Sequence, residues 1–409
     1  MSSSRGYSVS VLLTPAYSLG FTGGLFIGVQ LVSGVLMGCH YGAIDAYSWW
    51  SIVTLSRDLS AGYLCRGVHA NGAALMFGAI YLHMGRVLYR GTAGRSTVWL
   101  VGVILYLLGI GTCFTGYSLV YGQMSMWAIV VICSLVTAAP FIGVELLTLV
   151  WGGSSVSTAT LGRLFVVHYL LALLMLVLAL LHVWLLHSVG STGSRDLGMS
   201  PRSDRVDFMH AYVIRDVCLG IIALTLLGGV STWYPNAMGE ADNFVYADPM
   251  VTPVCICPEW YMLPYYGLVR AIPSKPLGIA GMGLAFGSLV NLGDLGYRSS
   301  TWGLANGVGL LLVLMDVVLT CKVCLLVNHG ESLYMLLLAG VLGAACASMT
   351  SVDQLVGPTN ATSTSYAMGL PVTNDGISTP LNHGISAIRP RQTSGFSAIR
   401  PRTSMVNSG

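Results

Sequence analysis

Four histidines fall into two pairs of identical spacing: His69 and His83 lie 14 residues apart, and so do His168 and His182. Each pair sits inside a long apolar run. An α-helix turns about 100° and rises 1.5 Å per residue, so 14 residues stop about 40° short of four full turns and climb roughly 21 Å. Both members of a pair therefore share one helix face. Two such helices packed face to face offer two His–His sites, one above the other. Imidazole is a good axial ligand for haem iron, and a histidine on each side makes an axial pair. Two haems stacked in this way across a bilayer form a wire for electrons.

The surroundings of the histidines place that wire in a membrane. The chain is 54% hydrophobic and 9% charged, with a mean hydropathy of +0.73. Soluble domains carry about 25% charged residues, so these values predict a polytopic membrane protein. The net charge of +3 is too small to point to a nucleic-acid partner. Ten cysteines are scattered through mostly apolar segments, where a thiol behaves as a small hydrophobe. The Cys-x-x-Cys-His of covalent haem attachment does not occur. Cys321 and Cys324, like Cys255 and Cys257, are read as structural.

Apolar runs predict eight spans, near residues 17–38, 64–89, 98–122, 163–187, 210–230, 277–296, 302–326 and 333–350. The stretch 124–150 is apolar but broken by Pro140, and is read as a helical hairpin at the surface. Residues 231–276 carry seven prolines and the acidic Glu240, Asp242, Asp248 and Glu259, the mark of a structured loop. From 351 the composition turns to Ser, Thr, Asn, Gly and Pro. There Ser-Ala-Ile-Arg-Pro-Arg occurs twice, after Ile385 and after Phe396, in a segment too polar to bury a core. Three regions follow: a bundle over 1–209 that includes the hairpin, a four-helix part with its loop over 210–350, and a polar tail over 351–409. The expected fold is all-α, with the first four of eight transmembrane helices forming a di-haem bundle. With eight spans both termini share one side, which receives thirteen of the basic residues against six on the other. The terminal side is therefore the negative one, matrix or cytoplasm.

Other residues join the histidines. Gly20 and Gly34 are 14 apart, as are Gly102 and Gly116. Glycines at the ligand period on the first and third spans would let a flat macrocycle approach the backbone. Arg66 precedes His69 by three residues, Arg163 precedes His168 by five, and Arg86 follows His83 by three. Guanidinium pairs with the carboxylates of haem propionates in a bidentate fork; snorkelling at the membrane surface is the plainer account.

With these features in view, the chain resembles cytochrome b, the di-haem subunit of respiratory ubiquinol–cytochrome c reductase. The resemblance covers about residues 17–350. It rests on Arg66-Gly-Val-His69-Ala-Asn-Gly72, His83-Met-Gly-Arg86, Gly116-Tyr117, Tyr121-Gly-Gln-Met124-Ser-Met-Trp127, Trp151-Gly-Gly153 and, most specifically, Pro258-Glu259-Trp260-Tyr261. The photosynthetic relatives are split into two chains and have one more residue between the fourth-span histidines. The fused chain with 14 there favours the respiratory form.

The resemblance implies that His69 and His168 ligate a low-potential haem b on the positive side, and that His83 and His182 ligate a high-potential haem b on the negative side. It implies that Glu259 and Tyr261, with Phe114, Tyr117, Met124, Trp127, Ala128 and Pro258, line a quinol-oxidation site. His187, Ser191, Arg215 and Asp216 would line a quinone-reduction site. A carboxylate in a partly apolar pocket has a raised pKa and can take a proton near neutral pH, which suits Glu259. His187 with Asp216 can deliver protons to a quinone; an interfacial Arg215–Asp216 ion pair is the plainer reading. Implied partners are a Rieske iron–sulfur protein, a c-type cytochrome, a second copy of the complex and membrane lipid. The implied substrate is ubiquinol with its quinone, coupled to proton translocation in a Q cycle. The implied place is the mitochondrial inner membrane, termini on the matrix side, ahead of a bacterial plasma membrane.

The chain departs from the family pattern in places. Ala128 stands where Gly is usual, Ser157 where Asp is usual, and the usual Asn near Gly193 does not occur. The segment before the first span is short for the family's leading surface helix, and the tail from 351 extends past the pattern. Two other classes fit the sequence less well. A transporter with histidine proton relays would not need matched pairs and should show an inverted repeat. A di-haem membrane anchor of another quinone-linked dehydrogenase would not need the Pro-Glu-Trp-Tyr loop.

Overall fold

The computed structural model describes residues 8–10, 13–89, 97–191 and 205–295. The expected spans at 302–326 and 333–350, the tail from 351 and its repeat lie outside the described residues, so the eight-span count rests on sequence alone. The chain separates into units Met1–Thr359 and Asn360–Gly409, and every described residue belongs to the first.

Ten α-helices are described: α1 Leu19–Gly38, α2 Asp45–Asp58, α3 Gly62–Tyr89, α4 Thr97–Leu119, α5 Gln123–Ser134, α6 Gly143–Trp151, α7 Thr158–Val189, α8 Val213–Trp233, α9 Leu263–Ala271 and α10 Lys275–Leu295. Among the described residues four stretches are long and apolar enough to cross a membrane: Pro15–Gly38, Thr97–Leu119, Thr158–Val189 and Phe208–Trp233. With 28 residues α3 is equally capable in length, about 42 Å at 1.5 Å per residue. It is less apolar because it carries Arg66, His69, Asn71, His83 and Arg86. On α7, Leu170, Leu173, Val177, Leu180 and Trp184 are all exposed. An apolar face of that extent suits lipid and not water. The protein is a multi-pass membrane protein.

The register of the bundle can be read from its glycines. α1 packs along α3, and α4 along α7. Gly20 meets His83 and Gly34 meets His69, so α1 runs antiparallel to α3. Gly102 meets His182 and Gly116 meets His168, so α4 runs antiparallel to α7. His69 faces His168 and His83 faces His182, so α3 and α7 are parallel. The end of α4 and the start of α7 thus lie at the same level, and the expected hairpin between them, here α5 and α6, stays on one side. Pro140 falls in the turn between the two short helices. α6 ends at Gly152, whose φ of 80° is the left-handed conformation in which a helix terminates and a side chain is strained. Ser157, standing where the family pattern has Asp, is the N-cap residue of α7, and Thr160 Oγ1 accepts from its backbone N–H at 3.1 Å. A capping residue type is therefore kept at that place.

Two elements have no counterpart in the sequence reading. α2 stands between α1 and α3, tied to the start of α7 where Thr158 Oγ1 donates to Asp45 Oδ1 at 2.9 Å. A two-stranded antiparallel ribbon pairs β1 Ser8–Ser10 with β2 Arg205–Asp207. It qualifies the all-α expectation. A small core of Val9, Leu13 and Tyr212 lies beside it.

Candidate haem and quinone sites

The four histidines come together as expected. The ring centres of His69 and His168 are 6.4 Å apart, and those of His83 and His182 are also 6.4 Å apart. A metal bound to imidazole nitrogen sits about 2.0–2.1 Å from it, and the nitrogen is itself just over 1 Å from the ring centre. A metal between two imidazoles therefore requires centres about 6.4 Å apart. Among the described residues no group of three or more His, Cys, Asp or Glu could hold a metal ion. Each pair would supply two nitrogen ligands, which suits a group that brings its remaining donors with it, as a haem does. Residues and group fit.

Hydrogen bonds behind the upper pair fix which nitrogen faces inward. His168 Nδ1 lies 2.9 Å from the Thr112 carbonyl, which can only accept, so Nδ1 carries the proton and Nε2 the lone pair. Ser33 Oγ donates to the Val29 carbonyl at 2.7 Å, so it accepts from His69 Nδ1 at 2.9 Å. Such partners orient a metal-binding imidazole and raise its basicity. In the lower pair, His83 Nδ1 and His182 Nδ1 are buried with no partner in hydrogen-bonding geometry among the described residues. The Val98 carbonyl lies toward His182.

The glycines act on the rings themselves. A Cβ would stand 2.5 Å from the His168 ring at Gly116, 2.9 Å from His83 at Gly20, 3.1 Å from His69 at Gly34 and 3.2 Å from His182 at Gly102. The expectation of clearance for a macrocycle is thereby sharpened: the space is first of all space for the imidazoles.

The arginines divide. Arg66 donates to Asn236 Oδ1 at 3.2 Å and lies 5.0 Å from the centre of the Phe244 ring. Arg86 lies over the Tyr17 ring at 4.2 Å. Arg163 donates to the carbonyls of Leu149 and Val150, at the end of α6. A basic side chain there satisfies carbonyls that the helix leaves open.

At the upper level the 231–276 loop folds back onto the bundle. Its residues Trp260–Met262 form a 3-10 turn that leads into α9. Glu259 precedes the turn and is half-buried. Burial pushes its carboxyl up to about 7; Glu240 adds to that rise and Arg66 opposes it. Tyr261 is buried and stacks on Phe77, with centres 4.4 Å apart and planes 1° from parallel. Tyr117 lies in the field of Glu259, and its buried hydroxyl has no hydrogen-bond partner among the described residues. Met124 and Ala128 are buried on α5. Trp127 Nε1 donates to the Asp248 carbonyl at 3.3 Å. Phe114 packs with Trp127 on the cluster around Ile129. Pro258 is half-buried just before Glu259.

The loop is seated through the start of α5. Gln123 N donates to the Val245 carbonyl at 2.9 Å. Gln123 Nε2 donates to Val251 O at 2.6 Å, and its Oε1 accepts from Asp248 N at 2.7 Å. Asn243 Oδ1 accepts from Ser125 N at 3.0 Å, supplying a helix N-terminus with an acceptor from far along the chain. At Gly122 a Cβ would meet the Asn243 carbonyl oxygen at 2.3 Å, so only glycine admits this approach.

At the lower level the end of α7, the start of α8 and the N-terminal arm converge. His187 stands edge-on to Phe208 at 5.7 Å. Arg215 donates to the Leu13 carbonyl at 2.6 Å, and Asp216 lies against Ser18. Ser191 is half-buried just past Gly190, whose φ is 86°. Arg215 is thus bonded to a backbone carbonyl, and no Arg215–Asp216 ion pair occurs among the described residues.

Sequence reasoning missed Ser33, Thr112, Asn236, Glu240 and Tyr17. A hydroxyl beside or near a glycine of the 14-residue pattern, as at Ser33 and Thr112, is the one signal that pointed to any of them.

A multi-pass membrane bundle with two bis-histidine levels defines a class, the di-haem b-type cytochromes. Comparison with known proteins makes the class particular. Residues 4–190 match the family model described as Cytochrome b/b6/petB, and 246–343 match Cytochrome b(C-terminal)/b6/petD. Cytochrome b of Debaryomyces hansenii is 40% identical over 269 residues, 65% of this chain and 70% of that protein. Cytochrome b of Candida parapsilosis is 37% identical over 318 residues, 77% of this chain and 81% of that one. A chain from a structure described as a hyperthermophilic respiratory Complex III shares the fold, with a TM-score of 0.76 at 24% identity over 86% of this chain and 94% of that chain. The chain belongs to the cytochrome b family.

Proposed function

We propose that this chain is the cytochrome b subunit of a respiratory quinol–cytochrome c reductase, complex III. The carrying observation is the joining of two bis-histidine levels, each 6.4 Å between rings, to a loop that sets Glu259 beside the upper one. His69 with His168 and His83 with His182 would hold two non-covalent b haems. Arg66 and Arg86 would face their anionic edges, as would the remaining donors of Arg163. Bound there, the two haems supply stacked one-electron carriers across the bilayer.

The protein's own part is proton handling and placement. A carboxyl that titrates near 7 is half-ionised at neutral pH, so Glu259 can accept a proton from a quinol hydroxyl and pass it outward. The Tyr117 hydroxyl offers that substrate a buried hydrogen-bonding position. Tyr261, Phe114, Met124, Trp127, Ala128 and Pro258 exclude water from the same region. At the other level His187 and Asp216 hand protons to a quinone, with Ser191 and Arg215 at its rim. Oxidation on one face and reduction on the other translocate protons, as in a Q cycle.

The subunit would work with a Rieske iron–sulfur protein and a c-type cytochrome, in a dimer of the complex. The fungal cytochrome b relatives support the mitochondrial inner membrane, and the substrate would be ubiquinol. Residues 1–209 would form the haem bundle, and 210–350 the remaining spans and quinol loop. The test is a redox titration of the purified complex with an inhibitor-sensitive assay of quinol oxidation. Two b-type transitions with sensitive turnover are expected. Two haems without quinol oxidation would favour the membrane-anchor reading.

A further inference from the structure

We propose that Tyr106 is a positioning residue for quinol oxidation, holding Tyr261 and its neighbour Glu259 through a one-way chain of buried hydroxyls; this rests on the reading of Glu259 given above. The chain has four members. Tyr81 Oη lies 2.6 Å from the Tyr261 carbonyl oxygen and 3.1 Å from Tyr106 Oη. Tyr106 Oη lies 2.7 Å from Tyr265 Oη.

The direction of every bond follows from elementary chemistry. A carbonyl only accepts, so Tyr81 donates to Tyr261. A phenol has one proton to give, so the Tyr81 oxygen must accept from Tyr106. The Tyr106 proton is then spent, so Tyr106 accepts from Tyr265. The order is Tyr265 to Tyr106 to Tyr81 to the Tyr261 carbonyl, running from α9 through α4 and α3 to the turn before α9. Tyr106 is the middle link and is 1% exposed. In a membrane interior no bulk water replaces a lost partner, so a break leaves buried oxygens unpaired.

Two further features carry this restraint to the site. The Tyr261 ring is stacked on Phe77, so the residue is held by its ring and by its carbonyl at once. The Glu259 carbonyl accepts from Met262 N at 2.9 Å, which closes the turn and makes Glu259 move with Tyr261. Tyr81 is two residues from His83 on the same helix. The loop that would hold quinol is thereby referenced to the helix that carries two of the histidines.

The experiment uses the intact complex, with decylubiquinol as donor and cytochrome c as acceptor. KM and kcat are measured for Tyr106→Phe, Tyr81→Phe and the double variant, with reduced-minus-oxidised spectra of each. One lost hydrogen bond predicts a KM raised about 3- to 10-fold, with kcat within about twofold and both haem spectra unchanged. Because both substitutions cut the same chain, the double variant should be no worse than the worse single. A parental KM in an assembled Tyr106→Phe complex, or effects that multiply in the double variant, would overturn the proposal. If Tyr106→Phe does not assemble, Tyr265→Phe removes only the terminal donor and decides instead: a raised KM supports the chain, an unchanged one overturns it. An unmutated complex with no inhibitor-sensitive quinol oxidation defeats the functional reading and this proposal with it. An active one with unmoved variants defeats this proposal alone.

Discussion

The two histidine levels share one ring geometry and differ in what stands behind the rings. Above, His69 and His168 each give their outer proton to a partner, Ser33 Oγ or the Thr112 carbonyl. Below, neither His83 Nδ1 nor His182 Nδ1 meets hydrogen-bonding geometry among the described residues, although the Val98 carbonyl lies toward His182. An imidazole that donates outward is a more basic ligand and favours the oxidised, more positive iron. A level with both outer protons shared should therefore have the lower potential, and the less assisted level the higher. The same order is what resemblance to the family implies. The levels differ in proton chemistry too: the upper has a carboxyl titrating near 7, the lower an imidazole and Asp216 at the membrane edge. Ligand spacing alone makes two equivalent sites; the surroundings make them unequal.

The largest test breaks one level and leaves the other. His83→Ala or His182→Ala should remove only the high-potential b haem, and His69→Ala or His168→Ala only the low-potential one, read by redox titration. Loss of the same haem from His69→Ala and His83→Ala would end the two-level assignment. Next, Glu259→Gln should slow quinol oxidation by about 10²-fold or more, the usual worth of a proton acceptor, with both haem spectra kept. The sign of the pH effect follows from the raised carboxyl. Glu259 accepts only when ionised, so parental turnover should rise through about pH 7 and level off above it. The Gln variant should lose that inflection, and unaltered turnover from about pH 6 to 8 would remove Glu259 from the role.

Ala128 probes how tightly the upper level is packed. Strobilurin-type inhibitors press on this position in the family, and an extra methyl in a close-packed pocket costs about 1–3 kcal/mol. Ala128→Gly should tighten their binding roughly 5- to 150-fold, with much less change in turnover. Equal binding by both proteins would place the α5 backbone differently. The smallest effect sharpens the comparison most. Ser33→Ala removes one acceptor behind His69 and should raise the lower of the two potentials by roughly 20–60 mV, the equivalent of about 0.5–1.5 kcal/mol. The other potential should stay put. Equal shifts in both would sever the link between these hydrogen bonds and the ordering.

The facing of the four histidines in two pairs was legible because a 14-residue period is a local property of one helix. Helices lie within a few residues of the six expected spans that fall among the described residues, and four of them are apolar enough to cross a membrane. The hairpin was legible through Pro140. The ribbon was not: three-residue strands almost 200 positions apart leave no local trace. α2 was missed because Asp45, Ser48, Ser51 and Arg57 interrupt its apolar pattern. At the site, Glu259 was visible in its tetrapeptide. The partners Asn236, Glu240 and Tyr17 were not, since nothing in their spacing ties them to Arg66, Glu259 or Arg86. The same holds for Tyr81, Tyr106 and Tyr265, which meet only because three helices cross there.

The acceptor at the start of α5 has a cost measured in time. Ser125 N waits for Asn243, which is 118 residues downstream. At about 5–20 residues per second of synthesis, the upper surface stands unfinished for roughly 6–24 s, with Gln123 also lacking its partners Val245, Asp248 and Val251. Until those residues emerge, the half of the chain that carries the paired histidines is a bundle with an open roof.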